Sequence, residues 1–324
     1  MPLDPQEHDL PSISNQPNHT TSTTGNDPST LNPPTAHDPA PSTTSTASFP
    51  PLPSLEYKVL TRSRIIFMVI FWSLVITDSV FMPIALYFGL WYGTDLSPNT
   101  VFSIVTAAIG GVSILEYFLR FWRLFKKGST CRVIGGRRAY LDWFHWVFTA
   151  TWVVLMVELI IGSTPDNPPI RLLAMPPSSL LYVFGLQLCV FEGMRWGGVK
   201  SPVRVSSQPR GSVLLPGAYN LVEDIVAVDG SGGTEYRERL WKRYQASKVF
   251  RGMLEKLTLF WGVGCLAMAT LTTILIFTLE GDYAYAVGWS APFLWAGSWS
   301  AMTWWYVERS LKVERETWGR DVKP

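Results

Sequence analysis

Three carboxylic acids lie inside long apolar stretches of the sequence: Asp78 in "VITDSVF", Glu116 in "ILEYF" and Glu158 in "VELII". An ionised acid in the middle of a bilayer costs about 2.5–3.5 kcal/mol on insertion scales, so such residues are functional candidates. Burial favours the protonated form of a carboxyl group, which can then donate a proton to a substrate. We therefore predict Asp78, Glu116 and Glu158 as the candidate catalytic residues, with Asp78 first because it lies near the middle of its stretch.

Each of these acids also has a structural interpretation. Asp78 can stay protonated and bond to a hydroxyl or carbonyl group of a neighbouring helix. Glu116 can pair with Arg120, four residues further along the same helix face. Glu158 can reach the outer interface of the membrane.

Two other pairs of ionisable residues lie near the ends of apolar stretches. Asp142 and His145 are three residues apart and therefore share a helix face, as interfacial anchors or as a proton relay. Glu192 can pair with Arg195 in the same way.

Six apolar stretches position these residues, and each is long enough, or nearly so, to cross a bilayer as a helix. The fourth is the shortest. We predict an all-α integral membrane protein with six transmembrane helices, at about residues 65–91, 100–121, 143–161, 179–196, 257–278 and 284–307.

The basic residues predict how these helices are oriented. Cytosolic links of membrane proteins are enriched in Lys and Arg. Of the 27 Lys and Arg residues, all but Arg171 lie before the first span, in or at the edges of alternate links, or after the last span. Six spans with both termini in the cytosol are therefore expected, with a membrane region at 58–308, a cytosolic loop at 197–256 and a basic cytosolic tail at 309–324. This pattern fits a protein of the endoplasmic reticulum or of the plasma membrane.

The first 57 residues differ in composition from the rest. They are rich in Pro, Ser and Thr, and the first 55 contain no Lys or Arg. Such a segment cannot bury enough apolar surface to offset its ordering entropy, so we predict a disordered tail. It lacks the apolar core of a signal peptide.

The stretch "LVEDIVAVDGSGGTEYRERL", residues 221–240, resembles a strand followed by a glycine turn and a helix. It lacks the Lys-Ser/Thr of a phosphate-binding loop and the spacing of a dinucleotide fingerprint. We interpret it as a strand at "DIVAVD", a turn, and a helix capped by Thr234 whose apolar face carries Tyr236, Leu240 and Tyr244. The basic side chains of this loop predict contact with anionic lipid headgroups.

The motifs "VEDIVAVDG", "YRERL", "RYQAS" and "FR" in this region resemble uncharacterised multi-spanning membrane proteins of filamentous fungi. The resemblance is strongest over residues 221–307. It implies a membrane location and a loose association with secondary-metabolite pathways, and it brings no activity, cofactor or site residue.

Three classes of function remain. The first is a non-catalytic or accessory membrane component. The second is a membrane enzyme that uses a buried acid on a lipophilic, terpenoid-like small molecule, although no motif of the small integral terpene cyclases is present. The third is a small transporter or channel. The sequence has no evident internal repeat, which counts against this class.

Composition narrows the expected partners. The net charge of +2 is too small to indicate nucleic acid, and the three cysteines form no zinc-binding pattern. We expect no cofactor and no metal, the lipid bilayer as the main partner, and an oligomeric state that the sequence leaves open.

Overall fold

A computed structural model describes residues 51–55, 66, 69–70, 73–109, 111–138 and 140–318. Every named secondary-structure element among the described residues is a helix. In chain order the helices are α1 (Ser73–Gly93, with a π-helical turn at Thr77–Phe81), α2 (Pro98–Ala108), α3 (Gly111–Phe125), α4 (Trp143–Ser163), α5 (Ile170–Leu173), α6 (Pro176–Trp196), α7 (Gly217–Asp224, continued by a π-helical turn at Ile225–Asp229), α8 (Gly233–Ala246), α9 (Lys248–Thr278) and α10 (Gly281–Thr317).

Three of these helices are long and apolar enough to cross a membrane: α1, α4 and α9. They correspond to the first, third and fifth predicted spans. Helices α6 and α10 have the length of a span, with 21 and 37 residues, but α1, α4 and α9 are the ones that also meet the apolar criterion.

The second predicted span, at about 100–121, is wrong as one continuous helix. Helix α2 ends at Ala108, the backbone of the next residue, Ile109, is extended with ψ at 136°, and α3 begins at Gly111. The extended residue interrupts the run of i to i−4 hydrogen bonds, so the two helices are separate elements.

Local sequence signals explain where several helices begin. Asp142 accepts a hydrogen bond from the backbone N–H of His145 at 2.9 Å and caps α4. Ser247 does the same for α9 through the N–H of Phe250. Short polar side chains at this position satisfy backbone donors that a helix start leaves free.

Apolar side chains cover much of the outer surface of the helices. Exposed examples are Leu115 and Phe118 on α3, Ile160 on α4 and Leu294 on α10, whereas Arg120 of α3 is 2% exposed. Apolar groups facing outward and charges facing inward are the arrangement expected of helices in lipid rather than in water.

The predicted disordered tail, residues 1–57, lies outside the described residues except for 51–55. This short piece contacts the fold, since the Pro53 carbonyl accepts a hydrogen bond from Arg243 and Leu55 packs against the cluster of Leu240 and Leu254. At the other end, α10 continues through most of the predicted C-terminal tail to Thr317.

Candidate functional site

A group of ionisable side chains, all buried except the partly exposed Asp229, joins three separate parts of the chain. We call Arg120, Asp142, Glu223, Asp224, Asp229 and Arg237 the charge cluster. At its centre the Arg237 guanidinium of α8 donates to Asp224 at 2.7 Å and to Glu223 at 2.9 Å. All three side chains are 0% exposed. A buried guanidinium needs such paired carboxylates, because removing a charge from water is costly.

The second arginine connects α3 to the same acids. Arg120 donates to Asp142 at 2.5 Å and also to Asp229, and its guanidinium carbon lies 4.6 Å from the centre of the Phe144 ring. Asp142 in turn lies 3.8 Å from Arg237. The two arginines therefore share one set of carboxylates at the first turn of α4.

The loops around α4 complete the cluster. The hydroxyl of Ser206 donates to Asp224, and the backbone N–H of Phe144 donates to the same Asp224 oxygen at 3.1 Å. Ser206 also accepts a hydrogen bond from the N–H of Trp143 at 3.1 Å. The loop before α7 is thereby joined to the start of α4.

The predicted strand at "DIVAVD" is wrong, because these residues continue α7 as a π-helical turn. In helical form, Asp224 reaches Arg237 and Asp229 reaches Arg120. Thr234 does not cap α8 either: its hydroxyl and N–H both donate to the Thr130 carbonyl, at 2.8 and 2.7 Å. The neighbouring Gly233 has φ at +63°, a conformation that favours glycine.

The cluster has more carboxyl groups than guanidinium groups. Four acids face Arg120 and Arg237, and Arg123 on the rim lies 3.8 Å from Asp229. Burial, followed by the neighbouring charge of Asp224, raises the pKa of Asp142 to about 7 even though Arg120 acts in the opposite direction. Burial also raises the pKa of Asp229 to about 6, and that of Glu223.

We expect this cluster to make the protein more stable in mild acid. A carboxyl group whose pKa rises on folding binds its proton more tightly in the folded state, so its contribution to stability is lost as the pH rises through the folded pKa. For Asp142 that window extends from its ordinary value of 3.8 to about 7. The thermal midpoint of the purified protein should fall between pH 5 and pH 8, and Asp229→Asn should reduce that slope. A midpoint that rises over this range would contradict the assignment.

The three predicted catalytic acids have different surroundings. Glu116 does not pair with Arg120, which is held by Asp142 and Asp229; it lies 3.7 Å from Arg123 instead. Glu158 accepts a hydrogen bond from Ser179 of α6 at 2.5 Å, so it faces a neighbouring helix rather than the outer interface. Asp78 is 9% exposed within the π-helical turn of α1.

The two other predicted pairs are partly confirmed. Arg195 donates to Glu192 as expected and also to Glu255 of α9 at 3.0 Å. Asp142 belongs to the charge cluster, but the His145 side chain does not join it. The imidazole stacks on Tyr117 with 4.6 Å between ring centres and is 0% exposed.

An open groove of about 390 Å³ lies between α3 and α4. We call it the α3–α4 groove. Its lining consists of Ile114, Tyr117, Phe118, Thr149, Trp152, Val153, Met156, Val157 and Ile160. No charged side chain is among the described residues of this lining.

Among the described residues there is no group of three or more His, Cys, Asp or Glu side chains placed to hold a metal ion. The acids of the charge cluster are occupied by arginine instead. Its chemistry is therefore ion pairing and proton binding.

A family model described as "Domain of unknown function (DUF8766)" matches residues 41–318 of the chain. Comparisons with curated proteins and with solved structures find no match.

Proposed function

The chain belongs to the family described as Domain of unknown function (DUF8766), and we propose that it is a non-catalytic, multi-pass membrane component. In this proposal six hydrophobic segments, the second of them interrupted at Ile109, carry a folded platform on the cytosolic side. The platform consists of the links at 126–142 and 197–247 together with the end of α10.

The observation that carries this proposal is the clustering of alternate links. The links at 126–142 and 197–247 bind one another through Arg237, which donates to the Cys131 carbonyl at 3.4 Å, and through Thr234 and Thr130. Arg243 of α8 pairs with Glu314 of α10 at 2.5 Å. These are the basic segments that the sequence assigns to one side of the membrane.

The remaining links, which join the first segment to the second, the third to the fourth and the fifth to the sixth, meet at the opposite end of α4. Tyr87 near the end of α1 donates to Asp282 of α10 at 2.5 Å, and Trp289 donates to the Leu173 carbonyl at 3.0 Å. The 21 residues of α4 separate the two ends by about 30 Å, the thickness of the hydrocarbon core of a bilayer. This spacing supports a membrane-spanning arrangement.

The platform presents basic side chains to its surroundings. Lys126, Lys127, Arg137, Arg138 and Lys242 are exposed. Each basic residue near an anionic leaflet contributes about 1 kcal/mol of attraction. Arg237 and Arg243, which the sequence suggested for the same role, are buried in ion pairs and do not contribute.

A non-catalytic role agrees with the surroundings of the predicted acids. Glu116 and Glu158 each have a protein partner, and the α3–α4 groove has no acid in its lining. We expect Asp78→Asn, Glu116→Gln and Glu158→Gln to leave both protein abundance and the cellular metabolite profile unchanged. Loss of a product at normal abundance in any one variant would instead support a membrane enzyme.

Single cysteines test the arrangement of the links. In a background with Cys131, Cys189 and Cys265 replaced by Ala, we expect an impermeant maleimide to label Asp95→Cys and Asp166→Cys from one side of sealed vesicles. Lys127→Cys and Arg210→Cys should react only from the cytosolic side. All four native side chains are exposed. Labelling of members of both pairs from the same side would contradict the six-segment arrangement.

A further inference from the structure

We propose that the α3–α4 groove binds an uncharged lipid alcohol, with the hydroxyl group of the lipid donating a hydrogen bond to Tyr117. The inference rests on the proposed membrane placement, because the groove has to open onto lipid for such a ligand to enter.

The break after α2 creates the groove. Helix α2 packs against α4, and the helical run is interrupted at the extended Ile109 before α3 begins at Gly111. Arg120 fixes the far end of α3 through Asp142 and Asp229. Between these two points, Tyr117 spans the gap to α4 and the remaining space stays open. From Thr149 to Ile160 the α4 wall is about 16 Å long.

The lining selects an uncharged, mainly apolar occupant. Phe118, Val157 and Ile160 present carbon surface. The polar side-chain groups among the described lining residues are the hydroxyls of Tyr117 and Thr149 and the indole N–H of Trp152. A phosphate or carboxylate would find no cation in this lining, and burying it unpaired would cost several kcal/mol. The groove therefore favours a neutral lipid over an ionic one.

The hydrogen bonds at these two hydroxyls define the polar group of the ligand. Thr149 uses its single hydrogen to donate to the His145 carbonyl at 2.7 Å. The 3.0 Å contact between Tyr117 and Thr149 is then a donation from Tyr117 to Thr149. The Tyr117 oxygen retains a free lone pair but no free hydrogen. The complement of this oxygen is a donor, which an alcohol supplies and a ketone, an ester or an ether does not.

His145 is the second observation that indicates a polar ligand. Its imidazole is 0% exposed, and neither ring nitrogen has a hydrogen-bond partner among the described residues. It stacks directly on the Tyr117 ring. Buried polar atoms normally have partners, and one left without a partner indicates a bound water or a ligand. A hydroxyl group at Tyr117 would bring such a partner into the same region.

A pair of photoreactive lipids tests the inference on the unaltered full-length protein in nanodiscs. One probe is dodecanol carrying a diazirine, and the other is its methyl ether, which has the same chain but no donor. We expect the alcohol to label peptides of α3 and α4 and to bind about fivefold more tightly than the ether, the ratio for one neutral hydrogen bond. Equal labelling by both probes would mean an ordinary acyl-chain contact and would overturn the inference.

Matched tyrosine variants locate the hydrogen bond. Tyr117→Phe keeps the ring on His145 but removes the acceptor, so alcohol labelling should fall to the level of the ether. Tyr182→Phe is the control, because the hydroxyl of Tyr182 also meets threonines, Thr270 and Thr273, away from the groove. It should change neither probe. Alcohol labelling of α3 and α4 that stays above the level of the ether in Tyr117→Phe would overturn the inference.

The wild-type comparison of the two probes does not depend on any variant folding. It also separates this inference from the proposed topology, since cysteine labelling can support the six-segment arrangement while both probes label equally. Conversely, cysteine labelling can contradict the six-segment arrangement while the alcohol still labels the groove more strongly than the ether.

Discussion

Replacing Arg237 by Met should destabilise the protein by about 3–5 kcal/mol, the cost of breaking a buried ion pair from one side. The guanidinium group is 0% exposed and lies between Glu223 and Asp224, with Asp142 3.8 Å away. Its two acid partners attract it strongly enough to raise its pKa despite burial, which acts in the opposite direction. Without it, Glu223 and Asp224 lose their central positive charge, and α8 loses its contact with the Cys131 carbonyl.

The control is Arg239→Met on the same helix. Arg239 pairs with Glu235 one turn earlier at the surface, where the Glu235 side chain is 73% exposed. Pairs of this kind contribute about 0.3–0.5 kcal/mol. The measurement is the free energy of unfolding in mixed micelles for both variants at neutral pH. If the two variants were equally stable, the charge cluster would not hold the platform together.

The difference between these two arginines illustrates what the sequence could predict and what it could not. Spacing within a helix was sufficient for local contacts, such as Glu192 with Arg195. The same spacing also predicted that Tyr236 and Leu240 share an apolar helix face, and both side chains are buried as expected. It could not show that Arg237 points inward, because its partners lie on another helix.

Glu116 shows the same limit. Its spacing to Arg120 suggested a pair within α3, but Arg120 binds Asp229, 109 residues away in the sequence. Competition among partners is decided by tertiary contacts, which spacing along one helix does not contain. A surplus of acids in "VEDIVAVD" near basic segments was the available signal for the charge cluster.

The spans were predicted best where the composition is most uniform. Helices α1, α4 and α9 each contain a long apolar window and lie near the expected positions. The break at Ile109 lies in an equally apolar stretch, so hydropathy contained no sign of it, although the Gly110–Gly111 pair marked a weak point. The β-branched residues of "DIVAVD" suggested a strand, but strand propensity is weak compared with the ion pairs that a helix allows here.

Helix α10 offers a second test with a large expected effect, through two glycines in one helix. A Cβ atom added at Gly288 would lie 2.4 Å from the Ala174 carbonyl oxygen and 2.9 Å from the Ala174 Cβ. The backbone there cannot easily move, since Trp289 binds the Leu173 carbonyl and the Ala174 N–H donates to Ile170 at 2.9 Å. Gly288→Ala should therefore destabilise the protein by about 1–3 kcal/mol through overpacking.

Gly297→Ala makes the same chemical change nine residues further along α10, where nothing lies within 4 Å of the new Cβ. Alanine is favoured over glycine inside a helix by about 0.5–1 kcal/mol, so this variant should be neutral or slightly more stable. Thermal unfolding of both variants in the same detergent gives the comparison. If the thermal midpoint falls in Gly288→Ala and rises in Gly297→Ala, α10 makes its close contact with the α5 turn. This contact lies at the end of the bundle away from the charge cluster. Equal effects would mean that α10 does not approach Ala174 as closely as described.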